Sequence, residues 1–268
     1  MNHKQLLNHL AAIDLVRSME YDISKLTSWE MLGPVAVPHS TIQSAVINKL
    51  YRRWNCIFKA PDEEVTENYR LTTRIVAAVL LHKYGFRDEE STQLAIEAID
   101  ELNRQVVLSD YFFHHAEQAK NLIQSAPIPL KRRPKVPDNV TFWRAGDVVS
   151  YRLDDWYYVL YVHEILSGNT APIVEFFNIR INRPPIPSDL VGLPAAGGKY
   201  NDGIRRIEKY WVYGMRNNPD MANQFRLIQS NSTNPPSQSQ LAPAIGLGSV
   251  TDVFQLQYNV DRQFSDDS

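Results

Sequence analysis

The stretch that most constrains this chain spans residues 142–178, FWRAGDVVSYRLDDWYYVLYVHEILSGNTAPIVEFFN. β-Branched and aromatic residues crowd it, a composition that suits strands better than helices. Val148, Val149, Tyr151 and Leu153 form one run, residues 156–165 a second and residues 173–181 a third. Asp154-Asp155 separates the first two, and aspartate tolerates the positive φ of a tight hairpin. Ser167-Gly168-Asn169-Thr170 separates the second from the third. The expected structure is a three-stranded antiparallel meander, the seed of a sheet or small barrel.

The first half of the chain follows helical spacing instead. Leu7, Leu10, Ile13 and Leu15 open it, and Gly33-Pro34 and Pro38 impose a loop. Ser40 and Thr41 are N-cap candidates for a helix carrying Ile42, Val46, Leu50, Trp54 and Ile57. Pro61 with Asp62, Glu63 and Glu64 predicts a third helix start, since carboxylates favour the positive end of a helix dipole. That helix reaches Tyr84, ends at Gly85 in the left-handed manner, and is apolar all round at 75–81. An all-apolar helix belongs in the middle of a bundle. Ser91 and Ser109 are the expected caps of a fourth and a fifth helix, the fifth carrying Phe112, Phe113, Ala116, Ala119 and Ile123.

Four prolines and a basic run in residues 126–137, APIPLKRRPKVP, exclude helix and interior strand and mark a linker. Beyond the meander, 182–194 holds four prolines and reads as a loop, and 195–203 is small and flexible. Residues 204–213 alternate like a strand with Ile207, Tyr210 and Val212 inside, and 225–228 is a short strand candidate. Residues 230–240 have the composition of a disordered loop, and 250–260 reads as a final strand. The expected fold is therefore α+β: an N-terminal helical bundle (1–126), a proline-rich basic linker (127–138), an antiparallel sheet or small barrel domain (139–262) and an acidic tail (263–268).

A chain of 268 residues with 22% charged residues and a net charge of −2 has no whole-chain drive toward nucleic acid or an anionic membrane. Lys131-Arg132-Arg133 is its one basic arm worth weighing against that balance. The single cysteine, Cys56, rules out an internal disulfide and sits among apolar neighbours as a small core residue. The first residues lack the apolar core of a signal peptide, so a cytoplasmic location is expected.

No catalytic signature stands out. The histidines show no zinc spacing, and adjacent His114-His115 point about 100° apart on a helix. No nucleophile elbow or phosphate loop occurs, and Gly246-Leu247-Gly248-Ser249 is a lone short loop. Carboxylate pairs exist at Asp154-Asp155, where a turn already explains them, and at Glu164 with Glu175, where adjacent strands carry them on a solvated face. The aromatics are more suggestive. Alternation sends Trp156, Tyr158, Leu160 and Val162 to one face and Tyr157, Val159, Tyr161 and His163 to the other. A half-exposed strand is not normally apolar on both faces, so either the helical domain covers the second face or that face recognises a partner.

Residues 146–162, GDVVSYRLDDWYYVLYV, resemble the opening hairpin of the bacterial "immunity protein 26" family, whose members begin with a similar GDVF-x-I-P-L-x-DG-x-Y-A-x-GRV pattern. Arg152 stands in place of that proline, Trp156 in place of the turn glycine, and Tyr161-Val162 in place of the Gly-Arg pair. The resemblance implies a cytoplasmic antitoxin that neutralises a cognate toxin of a polymorphic or type VI secretion system by tight binding. Proteins placed in that family have also been described as phosphotriesterases, an activity that usually wants a metal cluster. The expectation is thus a toxin-binding protein with no cofactor, metal or catalytic residue, contacting its partner through Trp156, Tyr157, Tyr161, Arg205 and Arg206. The alternatives are a hydrolase using Asp154, Asp155, His163 or Glu164, and a nucleic-acid-associated module using the basic arm.

Overall fold

The computed structural model describes residues 1–32, 37–137, 140–246 and 248–264. It is α+β, with helices first and a sheet after, in two compact units, Met1–Pro137 and Asp138–Ser268. The loop expected at Gly33-Pro34, Leu247 and the end of the tail at 265–268 lie outside the described residues.

The first unit contains α1 (His3–His9), α2 (Ile13–Glu30), α3 (His39–Phe58), α4 (Glu67–Lys83), α5 (Glu89–Arg104) and α6 (Asp110–Gln124). α4 is the hub and packs against all five of the others. Its apolar centre, Ile75 to Leu81, is buried throughout, as expected of a helix without a polar face. Gly85 (φ 85°) closes it: the Gly85 N–H donates to His82 O and the Phe86 N–H to Leu81 O, the paired bonds of a Schellman motif. A Cβ at Gly85 meets Pro129 Cα at 2.7 Å, so the proline-rich segment lies directly on this turn.

Several helix boundaries differ from expectation. The first apolar stripe is split, because Ala11 adopts φ 52° between α1 and α2. α4 starts at Glu67 rather than Pro61, with the Thr66 hydroxyl accepting from the Tyr69 N–H. α5 is capped by Asp88, which accepts from the Ser91 N–H at 2.9 Å, so Ser91 sits inside the helix. α3 has Pro38 at its N-cap and uses neither Ser40 nor Thr41. Ser109 does cap α6, whose Phe112, Ala116, Ala119 and Ile123 are buried, whereas Phe113 is exposed. The bundle core also holds a charge pair: Arg53 Nε and Trp54 Nε1 both donate to Asp22 Oδ2, at 2.9 and 3.0 Å. Shared donors make such burial tolerable.

In the second unit β1 (Val148–Leu153), β2 (Trp156–Ile165) and β3 (Pro172–Phe176) form the expected meander, and Asp154 takes φ 55° at the first turn. The two-residue loop aligns Leu153 with Trp156. The segment expected to be one strand at 204–213 divides in two. Its first part, β5 (Arg205–Arg206), pairs with β4 (Gly198–Lys199) in a separate ribbon, and its second, β6 (Tyr210–Tyr213), joins the main sheet. Ile207 is only half-buried, and Glu208 is the buried residue there. Gly198 makes room for Glu208, whose carboxylate occupies the place of a Cβ.

With β7 (Phe225–Gln229) and β8 (Ser249–Asp252) the sheet has the order β7-β1-β2-β3-β6-β8. Every pairing is antiparallel except β6 with β8, which is parallel, so the sheet is mixed. β7 and β8 are edges, and the described strands do not close into a barrel.

The final strand expected at 250–260 is mostly helix: α7 spans Val253–Phe264, started by Asp252 Oδ1 accepting from the N–H groups of Phe254 and Gln255. Residues 263 and 264, expected in the tail, belong to it. α7 packs on the sheet, with Phe264 at 4.8 Å from the Tyr158 ring and 5.7 Å from the Phe176 ring. The opposite face is covered by the unit's own irregular segments: Ile179, Leu190 and Leu193 pack over Val148, Val159, Tyr161 and Phe177. This explains why β2 is apolar on both sides.

Candidate functional site

The five residues expected to meet a partner do not share one surface. Tyr157 and Tyr161 are buried, 5% and 8% exposed. The Tyr161 hydroxyl donates to Ser232 O at 2.9 Å, which ties the 230–240 segment to the sheet. That segment is ordered by contact despite its composition: Ser237 O also accepts from the Ala195 N–H, and Gln238 reaches Glu175. Residues 195–198 are likewise buried rather than loose. Arg205 and Arg206 lie in the small ribbon. Arg205 donates to Ala196 O at 3.1 Å, and Arg206 pairs with Asp202 at 2.8 Å while standing over the Tyr200 ring.

Trp156 is the exception. It is half-buried at the tip of the β1–β2 hairpin, beside Asp154 and Asp155, which are exposed. Tyr157 bridges to Ile181 through N–H···O bonds of 2.7 and 3.1 Å, and the neighbouring Arg180 falls on the Trp156 side of that ladder. Its guanidinium carbon stands 4.1 Å from the indole centroid, a stacked cation–π contact. Arg152 makes a similar, longer contact with Tyr157 at 5.4 Å. Arg180 is 24 residues from Trp156 and carries no local signature, so only the chain path reveals the pair.

The residues of the hydrolase alternative are separated. Asp154 and Asp155 stand at one end of β2 and His163 and Glu164 at the other, about 25 Å away at strand rise. Glu164 is exposed, and its expected partner Glu175 is 1% exposed and sits opposite Tyr161. A bulge at His163 turns its ring toward Glu175, and Nε2 lies 2.8 Å from Oε2. Gln238 Nε2 donates to both Glu175 oxygens at 2.8 Å, so this carboxylate is occupied by its neighbours. Near this cluster a cleft of about 370 Å³ opens between Leu190, Leu193, Phe177, Ser232 and Ser237. Among the described residues no three His, Cys, Asp or Glu side chains group as a metal site, and no helix is long and apolar enough to cross a membrane. Lys131, Arg132 and Arg133 are exposed.

The Gly146-Asp147 pair of the hairpin motif has a local explanation. Gly146 takes φ 84° with Ser232 O only 3.1 Å from where a Cβ would stand. The Asp147 carboxylate accepts from the Arg144 N–H at 2.9 Å, and burial pushes its pKa up from the usual aspartate range. Comparison of the chain with protein-family models, with curated proteins and with solved structures finds no match in any of the three.

Proposed function

We propose that this chain is an antitoxin of the immunity type, which neutralises a bacterial toxin by direct binding, and that the β1–β2 hairpin tip is part of its contact surface. One observation carries the contact site: Arg180 stacked on Trp156 at a surface turn. Tryptophan and arginine are the residue types most enriched among interface hot spots, and stacking holds the guanidinium in place before a partner arrives. The antitoxin class rests on the resemblance of residues 146–162. Tyr157 supports the tip from within, Tyr161 is buried farther along β2 opposite Val148, and Arg205 and Arg206 are left to the ribbon.

The experiment is a binding titration of the purified chain with the product of the adjacent gene, repeated with Trp156→Ala and Arg180→Ala. Each substitution is expected to weaken binding by about 2 kcal/mol or more without changing the fold. Unchanged affinity in a folded double variant removes the tip from the interface, and absence of any complex removes the antitoxin function.

The contact between His163 and Glu175 favours a second function, acid–base hydrolysis at that end of β2. A phosphoester substrate screen tests it. Turnover that disappears in His163→Gln supports it, and a clean negative screen ends it.

A further inference from the structure

A pocket of about 230 Å³ opens in the helical unit between α3, α4 and α5. Helical spacing builds it. Tyr51, Asn55 and Phe58 share one face of α3, Arg74 and Ala77 one face of α4, and Ser91 and Leu94 one face of α5. Phe58, Ala77 and Leu94 make much of its wall apolar. The volume is below that of drug-sized sites and suits a ligand of about ten heavy atoms.

Most of its polar groups are already accounted for. The Tyr51 hydroxyl bonds to the Ser91 hydroxyl, which in turn donates to Asp88, the N-cap of α5. Glu90 stands in the first turn of α5, where a carboxylate is favoured by the helix dipole. Arg74 has no such explanation. Among the described residues it makes no ion pair, and its Nε–H is buried without an acceptor. Arg70 and Arg87 also bury an Nε–H, but each uses Nη2 to hold a carboxylate, Asp62 or Glu89, at 2.9 Å. A buried donor with nothing to donate to is unfavourable, and Arg74, whose guanidinium holds no carboxylate among the described residues, lines an open pocket.

We infer that this pocket binds a small monocarboxylate with an apolar body, its carboxylate on Arg74 and its body against Phe58, Ala77 and Leu94. A guanidinium offers two parallel N–H groups that match the two oxygens of a carboxylate. Lys59 at the pocket adds a second positive charge. Asp88 and Glu90, both close enough to act on Tyr51, oppose dianions and polyphosphates. The ligand class is therefore an aryl or branched aliphatic acid.

The test is calorimetric titration of the full chain with 3-phenylpropanoate and 4-methylpentanoate, with their neutral amides, and with inorganic phosphate. The acids are expected to bind saturably, with the amides and phosphate about tenfold weaker or more, the worth of one charge-assisted hydrogen bond. Arg74→Gln is expected to remove the preference for acid over amide, and Leu94→Trp to fill the pocket and remove binding altogether. No saturable binding of either acid up to about 10 mM overturns the inference. Equal binding of acid and amide by the wild-type chain overturns it too, without relying on any variant to fold.

Discussion

In the helical unit every helix rests on α4, whereas in the sheet unit the layers covering the sheet differ on its two faces. α7 covers one face, and the irregular segments carrying Ile179, Leu190 and Leu193 cover the other. The first arrangement is built from short-range repetition, since one apolar helix dictates where amphipathic neighbours must lie. The second depends on contacts far apart in sequence, such as Tyr161 with Ser232 and Glu175 with Gln238. A strand apolar on both faces announces that something covers it and says nothing about what does.

The sharpest exception in the helical unit is the buried pair of Asp22 and Arg53. Asp22→Ala strands Arg53 in the core and is expected to cost about 3–5 kcal/mol in urea unfolding. Asp22→Leu with Arg53→Met is expected to recover most of that loss. If the single variant is as stable as wild type, the pair lies outside the core the bundle depends on.

In the sheet unit, Gly198→Ala forces the Glu208 carboxylate from its place. The expected cost is about 1–3 kcal/mol, most of it relieved by Glu208→Ala in the same chain. Leu193→Ala tests the covering segment itself. Although Leu193 lies in no strand or helix, its loss is expected to cost about 1–2 kcal/mol and to expose the sheet to a hydrophobic dye. A change near zero means the segment rests on the sheet without stabilising it.

The smallest effect concerns pH. His3 Nε2 and His82 Nδ1 share a 2.8 Å hydrogen bond, and His82 Nε2 meets Ser125 at 3.1 Å. Burial, chiefly, holds both imidazoles below their usual range, with Lys83 adding to the effect on His3 and Arg87 to that on His82. The unfolded chain therefore takes up protons near pH 6.5 that the folded chain refuses. Stability present above that pH falls as pH drops through it, and melting curves are expected to show a shallower dependence in His3→Gln with His82→Gln. An equally steep dependence in that double variant assigns the effect to other groups.

These contrasts explain what was legible in advance. The run at 75–81, the closing role of Gly85 and the Asp154 turn are local signals, and each appears where its chemistry requires. α7 was hidden because its buried stripe carries amides. Gln263 donates to Gly197 O at 2.7 Å and Asn259 to Thr251 at 3.2 Å, so buried amides interrupt the apolar stripe of Val253, Leu256 and Val260. Asp252 as an N-cap and the helical spacing of Val253, Leu256 and Val260 are the signals that mark it. Pro61 and three acidic residues imitate a helix start, while Thr66 provides the cap of α4. At the candidate site Trp156 was visible as an aromatic at a turn, but Arg180 was not, because nothing near it in sequence distinguishes it from other arginines in loops.

The most direct measurement is quantitative co-purification of the tagged chain with the product of the adjacent gene, comparing wild type with Trp156→Ala. A stoichiometric complex that weakens by about 2 kcal/mol or more in the variant is the predicted result. A chain that elutes alone contradicts the antitoxin function, and a complex indifferent to Trp156 contradicts the hairpin tip as its contact.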